Sequence, residues 1–325
     1  MSYLQVIIGF VFLLGGAEFL VRGAVQISVK AGLSALLIGM TVVALGTSAP
    51  EFVVSLSAAL DGSPGMALGN VVGSNIANLW LILGATAFLA PIVVDTRAVI
   101  RDALMVTAAT ALFTWLCLSG SIERIAGGVM VVALALYFLR SYLREKSDGA
   151  ASAHLHEREA EEFQDVKMST LMAWVSLIGG AVALSFGADQ LVTGGSVIAR
   201  GFGVPEEVIG LTLIAFGTSL PELAASGMAA WRGHTDVAIG NVIGSNLFNT
   251  LAVIGGVAMI TPLEVPEQLV RFDVWVMMAA TLMILAYLAV GRRFARPEGF
   301  LFLTAYGLYI AAQAVGVDQV LGWIS

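Results

Sequence analysis

The sequence predicts an all-α polytopic membrane protein: ten transmembrane helices in two inverted five-helix repeats. Three observations lead there. Of 325 residues, 58% are hydrophobic and 12% charged, whereas an ordinary soluble domain carries about 25% charged residues. Apolar runs of about 20 residues, the length needed to cross the hydrocarbon core, recur along the whole chain. Finally, shifting the chain by 171 residues lays its first half on its second without a gap, Gly39 falling on Gly210.

The runs place spans at about 3–22, 35–59, 66–90, 101–119, 122–143, 170–191, 206–230, 237–261, 272–291 and 299–323. The long polar segment 144–169, containing REKSDGAASAHLHEREAEEFQD, reads as a solvated cytoplasmic linker. It separates a first repeat, 1–143, from a second, 170–325. No Lys or Arg precedes the first apolar run, as a cleaved signal peptide would require, so that run is read as a span that stays. Of the 16 basic residues, only Arg124, Arg200 and Arg271 fall in outside loops if the N-terminus faces out. Basic loops stay in the cytoplasm, so both termini are expected outside, in the cytoplasmic (plasma) membrane. The single cysteine, Cys117, lies in an apolar run and leaves no disulfide framework.

The repeat is densest at two motifs. GMTVVALGTSAPEF (39–52) lies on GLTLIAFGTSLPEL (210–223), and ALGNVVGSNIANL (67–79) on AIGNVIGSNLFNT (238–250). About half the positions of 39–84 are identical in 210–255, and the flanks agree too, AEFLV (17–21) on ADQLV (188–192) and Pro91 on Pro262. Each unit holds an odd number of spans, so the copies insert with opposite orientation, an architecture of many secondary transporters.

The motifs are costly for a membrane. An ionised residue at a helix centre costs about 2.5–3.5 kcal/mol on insertion scales, and neither Glu51 nor Glu222 has a basic residue in its own span. Binding a cation makes such a pair tolerable. Pro50 and Pro221 each remove a backbone donor and clash with the carbonyl four residues earlier. That should free carbonyls around Ala44–Thr47 and Ala215–Thr218, and broken backbone at membrane depth belongs where it lines a cavity. Thr47 and Ser48, with Thr218 and Ser219, add hydroxyls one turn before each glutamate. Ser74 and Asn78 share a helix face, as do Ser245 and Asn249. Gly69, Gly73, Gly240 and Gly244 have the small-xxx-small spacing of close helix packing. The inventory is all oxygen, which suits hard cations such as calcium, whereas a transition-metal site recruits His or Cys. His154, His156 and His234 all fall in loops. Two carboxylates match one divalent ion; the same oxygens could hold sodium.

At these residues the chain resembles the sodium/calcium exchanger family of the calcium/cation antiporter superfamily, whose two alpha repeats look like the paired GTSxPE and GNxxGSNxxN motifs. The resemblance covers nearly the whole chain. It implies that the second, third, seventh and eighth spans enclose the ions. It places ligands on Ala44, Thr47, Ser48, Glu51, Ser74 and Asn78, and on Ala215, Thr218, Ser219, Glu222, Ser245 and Asn249. It further implies central calcium on the two glutamates with sodium at overlapping and flanking positions. Asn249 departs from members that carry aspartate there, which bears on coupling stoichiometry and potassium dependence.

The expected function is therefore sodium-driven calcium antiport by alternating access, with calcium, sodium and the lipid bilayer as partners and no cofactor or required protein partner. A proton-coupled calcium or other divalent-cation exchanger is the alternative. A channel fits a closed midplane cage poorly. An intramembrane enzyme would need a base beside a motif serine, and no His or Lys accompanies one. Glu18, with Arg22 four residues on, reads as an interfacial ion pair, and Asp189 occupies the equivalent place. Asp102 and Asp273 read as residues at helix starts, and HLHEREAEEF as a solvated acidic helix.

Overall fold

A computed structural model of the chain describes residues 2–92, 96–147, 168–202, 215–290 and 294–317, with 319 and 322. In chain order these form α1 (Ser2–Ala31), α2 (Ala35–Thr47), α3 (Ala49–Leu60), α4 (Pro64–Leu89), α5 (Thr96–Leu118), β1 (Ser121–Ile122) and α6 (Arg124–Ser147). Then follow α7 (Thr170–Gly201), a single turn α8 (Ala215–Gly217), α9 (Leu220–Trp231), α10 (Thr235–Ile260), β2 (Leu263–Glu264), α11 (Leu269–Ala289) and α12 (Arg296–Val315).

Among the described residues, eight helices are long and apolar enough to cross a membrane, and α2 with α3, bent by 44° at their junction, makes a possible ninth. The predicted span 206–230 lies partly outside the described residues; its remainder appears as α8 and α9. Most of the predicted linker, 148–167, lies outside them too. The first helix runs past its predicted end. Arg22 interrupts the apolar run but is a good helix former, and the helix stops only at Gly32, whose φ of +63° favours a residue without Cβ. There the Leu33 N–H closes back on the Ser28 carbonyl, the usual way of satisfying terminal carbonyls.

The described chain divides into two compact units, Met1–Ala49 with Val132–Ser245, and Pro50–Val131 with Asn246–Ser325. In the first unit α1 and α7 pack along their lengths. Glycines every seven residues, Gly9, Gly16 and Gly23 on α1 and Gly180, Gly187 and Gly194 on α7, bring the two backbones into contact. A Cβ on Gly9 would meet the Gly187 carbonyl at 2.8 Å, and one on Gly16 the Gly180 carbonyl at 2.9 Å. Ascending numbers on one helix meet descending numbers on the other, so α1 and α7 run antiparallel. Ala would not fit at these places, and side-chain packing of this kind is what associates helices where no hydrophobic drive exists between them.

In the second unit α5 packs on α11 and α12 on the C-terminal half of α4. β1 pairs antiparallel with β2, Ser121 opposite Glu264 and Ile122 opposite Leu263. The core there is aromatic. Phe294 and Phe302 are fully buried and pack with Tyr287, ring centroids 5.5–6.2 Å apart, a spacing favourable for ring pairs.

Candidate ion-binding site

Each motif breaks its helix at the same residue. Ser48 sits at φ −86°, ψ 3°, and Ser219 at φ −88°, ψ 0°, both outside helical geometry. A new helix starts directly after, with Pro50 or Pro221 in its second position, where the missing N–H has no partner to lose. The freed carbonyls expected upstream are only partly free. The Ala44 carbonyl accepts the Ser48 N–H at 2.9 Å and lies 3.3 Å from the Thr47 hydroxyl, while the Ser219 N–H turns to the Phe216 carbonyl at 3.1 Å.

The second motif carries a π turn in each copy, Ala77–Ile82 in α4 and Phe248–Val253 in α10, with Asn78 and Asn249 in equivalent places. In each, the asparagine carbonyl accepts an N–H from five residues on, Leu83 or Ile254. Such turns are rare and recur at functional sites, because the extra residue re-aims the side chains around it.

Burial of the predicted residues is nearly complete. Glu51 and Glu222 are 0% and 1% exposed, and Ala44, Thr47, Ser48, Ser74, Asn78, Ser219, Ser245 and Asn249 are buried. Thr218 is half-buried, and Ala215 is described only in its backbone. In the first unit the Ser48 hydroxyl donates to Glu222 Oε1 at 3.2 Å. Beside that bond, Glu222 Oε2 and the hydroxyls of Thr218, Ser219 and Ser245 are buried without a hydrogen-bond partner. In the second unit both amide atoms of Asn78 and both of Asn249 are likewise buried and unpaired. A buried polar group left without a partner costs about 1–3 kcal/mol, and native structures hold only a few such groups per 100 residues. Their concentration on predicted ligands fits an oxygen donor set whose partner is a cation.

Four residues that the sequence reading passed over brace these ligands. In the second unit Asn70 Nδ2 donates to the Ser55 hydroxyl at 3.0 Å and lies 3.4 Å from the Glu51 carbonyl. In the first, Asn241 Nδ2 donates to the Ser226 hydroxyl at 2.9 Å, and its Oδ1 lies 3.1 Å from the Thr47 hydroxyl. Each serine sits one turn after a motif glutamate, so each clasp ties the glutamate's helix to α4 or α10. The signal was available, since Ser55/Ser226 and Asn70/Asn241 are identical pairs in the two repeats.

The lesser acidic residues behave as structural groups. Glu18 is bound by Arg22 at 2.6 Å and, from far along the chain, by Arg232 at 2.8 and 3.0 Å. Its counterpart Asp189 accepts from Gln190. Asp102 pairs with Arg101 at 2.8 Å, and Asp273 accepts from Tyr309, Gln313 and Gln268. His154 and His156 lie outside the described residues.

Comparison with known proteins identifies the family. The family model described as "Sodium/calcium exchanger protein" matches residues 1–143 and 172–315. CaxA of Alkalimonas amylolytica is 39% identical over 304 residues, covering 93% of this chain and 95% of its own length. The sodium/calcium exchanger MaX1 of Methanosarcina acetivorans is 31% identical, covering 95% and 97%. A solved structure of the sodium-calcium exchanger NCX_Mj superimposes with a TM-score of 0.81 at 28% identity, covering 96% of this chain and 98% of that one. The chain belongs to the sodium/calcium exchanger family and is an integral membrane cation antiporter.

Proposed function

We propose that the protein exchanges calcium for sodium across the membrane by alternating access around a midplane oxygen site. Ala44, Thr47, Ser48, Glu51, Ser74 and Asn78, with Ala215, Thr218, Ser219, Glu222, Ser245 and Asn249, ligate the transported ions. One observation carries this reading. Buried oxygen donors without hydrogen-bond partners gather on the residues that the duplicated motif singles out, where a hard cation takes six to eight oxygens. The charge of two glutamates equals that of one calcium ion. Either calcium or sodium can neutralise their charge during the switch, whereas an empty site would carry two buried carboxylates through it, and this favours exchange.

Ten spanning helices in two inverted repeats complete the proposal, joined by a cytoplasmic linker, with both termini outside and the plasma membrane as location. The antiparallel packing of α1 and α7, the first helix of each repeat, supports inversion, as does the match of the family model in two stretches. An ion gradient supplies the energy, and no catalytic chemistry is required of the chain.

Proton coupling is the second reading, which Asn249 leaves open. Asn249 is neutral, so less fixed charge is available to hold sodium, and the glutamates would exchange calcium for protons instead. Calcium uptake into proteoliposomes separates the two. Sodium-loaded vesicles in sodium-free buffer at one pH should accumulate calcium. Accumulation driven by an acid interior without sodium, and none driven by sodium, would replace the sodium reading with the proton one.

A further inference from the structure

We infer that Asn241 is a positioning residue for the Thr47 oxygen: its amide oxygen takes the one proton of the Thr47 hydroxyl and leaves that oxygen's lone pairs facing the ion. This rests on reading Thr47 and Ala44 as ligands, and it assigns a role to a residue that is not one itself.

A threonine hydroxyl has one proton and two lone pairs, and a carbonyl has two lone pairs. Two acceptors compete for the Thr47 proton, the Ala44 carbonyl at 3.3 Å and Asn241 Oδ1 at 3.1 Å. Hydroxyls within helices commonly turn back to the carbonyl of the preceding turn. Were Thr47 to do so, the Ala44 carbonyl would hold two hydrogen bonds, the other from the Ser48 N–H, and would keep no lone pair for an ion. With the proton on Asn241 Oδ1, Thr47 and Ala44 are both available. One amide thereby releases two ligands.

The orientation of the amide decides the matter, and the sequence-equivalent Asn70 is the guide to it. Asn70 makes the same clasp, and its Nδ2 lies 3.4 Å from the Glu51 carbonyl, a place that only a donor tolerates. Ser55 there sends its own proton to the Ala67 carbonyl at 3.3 Å, so it must accept from Asn70. By analogy with Asn70, nitrogen is assigned to the Ser226 side of Asn241 and oxygen to the Thr47 side. Asn241 and Thr47 are both fully buried. The spacing is held by backbone contact: a Cβ on Gly240 would meet the Leu36 carbonyl at 2.5 Å, and one on Gly244 the Met40 carbonyl at 2.2 Å.

The test is the half-saturating calcium concentration for uptake into sodium-loaded proteoliposomes. Asn241→Ala should raise it about fivefold, with the maximal rate changed less than twofold. Thr47→Val should raise it similarly, and the two together should do no more than either alone, since the amide acts only through the Thr47 hydroxyl. Ser226→Ala removes the clasp but spares the acceptor, and should stay within twofold of the wild type. Independent, multiplying effects of Asn241→Ala and Thr47→Val would overturn the inference, as would a Ser226→Ala effect equal to that of Asn241→Ala. Should Asn241→Ala not fold, Asn241→Asp keeps the acceptor. In that background Thr47→Val must still act as it does in the wild type, and loss of its effect contradicts the role. Wild-type protein that moves no calcium overturns the exchange reading itself; wild-type uptake with an unaltered Asn241→Ala overturns only the inference.

Discussion

α4 and α10 carry the same GNxxGSN motif with the same π turn after it, yet their surroundings differ. In α10 every residue from 237 to 247 is buried, whereas in α4 Gly69 is exposed and Asn70 and Gly73 are partly so. The duplicated sequence sets the local backbone, down to the residue at which each helix breaks. It does not set burial.

The largest effect that would sharpen this comparison lies at the glycines. Gly244→Ala puts a Cβ within 2.2 Å of the Met40 carbonyl, and overpacking against backbone should cost at least the upper end of the usual 1–3 kcal/mol. Gly73 is partly exposed, so Gly73→Ala should cost less. Thermal melting in detergent checks both; equal losses would mean that the two copies are packed alike.

Reactivity comes next in size. In a Cys117→Ser background, Asn70→Cys should react with a water-soluble maleimide at least tenfold faster than Asn241→Cys. Both variants lose the same clasp, so the ratio reports exposure alone. The native thiol is fully buried, and its replacement should change little. Equal rates would break the comparison.

The smallest effect is at the clasp serines. Ser55→Ala and Ser226→Ala each remove one hydrogen-bond acceptor and should each lower stability by about 1 kcal/mol. A loss confined to one copy would show that only one clasp bears on the fold.

Much of this was legible in the sequence. Apolar runs located the helices because lipid leaves the chain few alternatives to helix. Pro50 and Pro221, each two residues after a serine, located the breaks. The proposed ligands were marked by oxygen-bearing residues repeated in register, with the full set implied by the family resemblance. Other features left no such mark. A π turn shifts hydrogen bonds by one residue without a compositional signature, so those around Asn78 and Asn249 were unforeseen. The Glu18–Arg232 pair joins residues 214 apart, beyond any local pattern. The seven-residue glycine stripes of α1 and α7 were visible as letters, but only their backbone contact says what they are for. The carbonyl at Ala44 shows the reverse error. Proline was expected to free it, yet the non-helical Ser48 brings its own N–H back to cap it.

The central claim, a calcium and sodium exchange site built on Glu51 and Glu222, is tested most directly by radioactive calcium uptake into sodium-loaded proteoliposomes holding wild-type, Glu51→Gln or Glu222→Gln protein. Gradient-dependent uptake by the wild type and at least a hundredfold loss in either variant are expected, because each substitution removes one of two charges that balance the ion. Uptake persisting at near wild-type rates in either variant would contradict it.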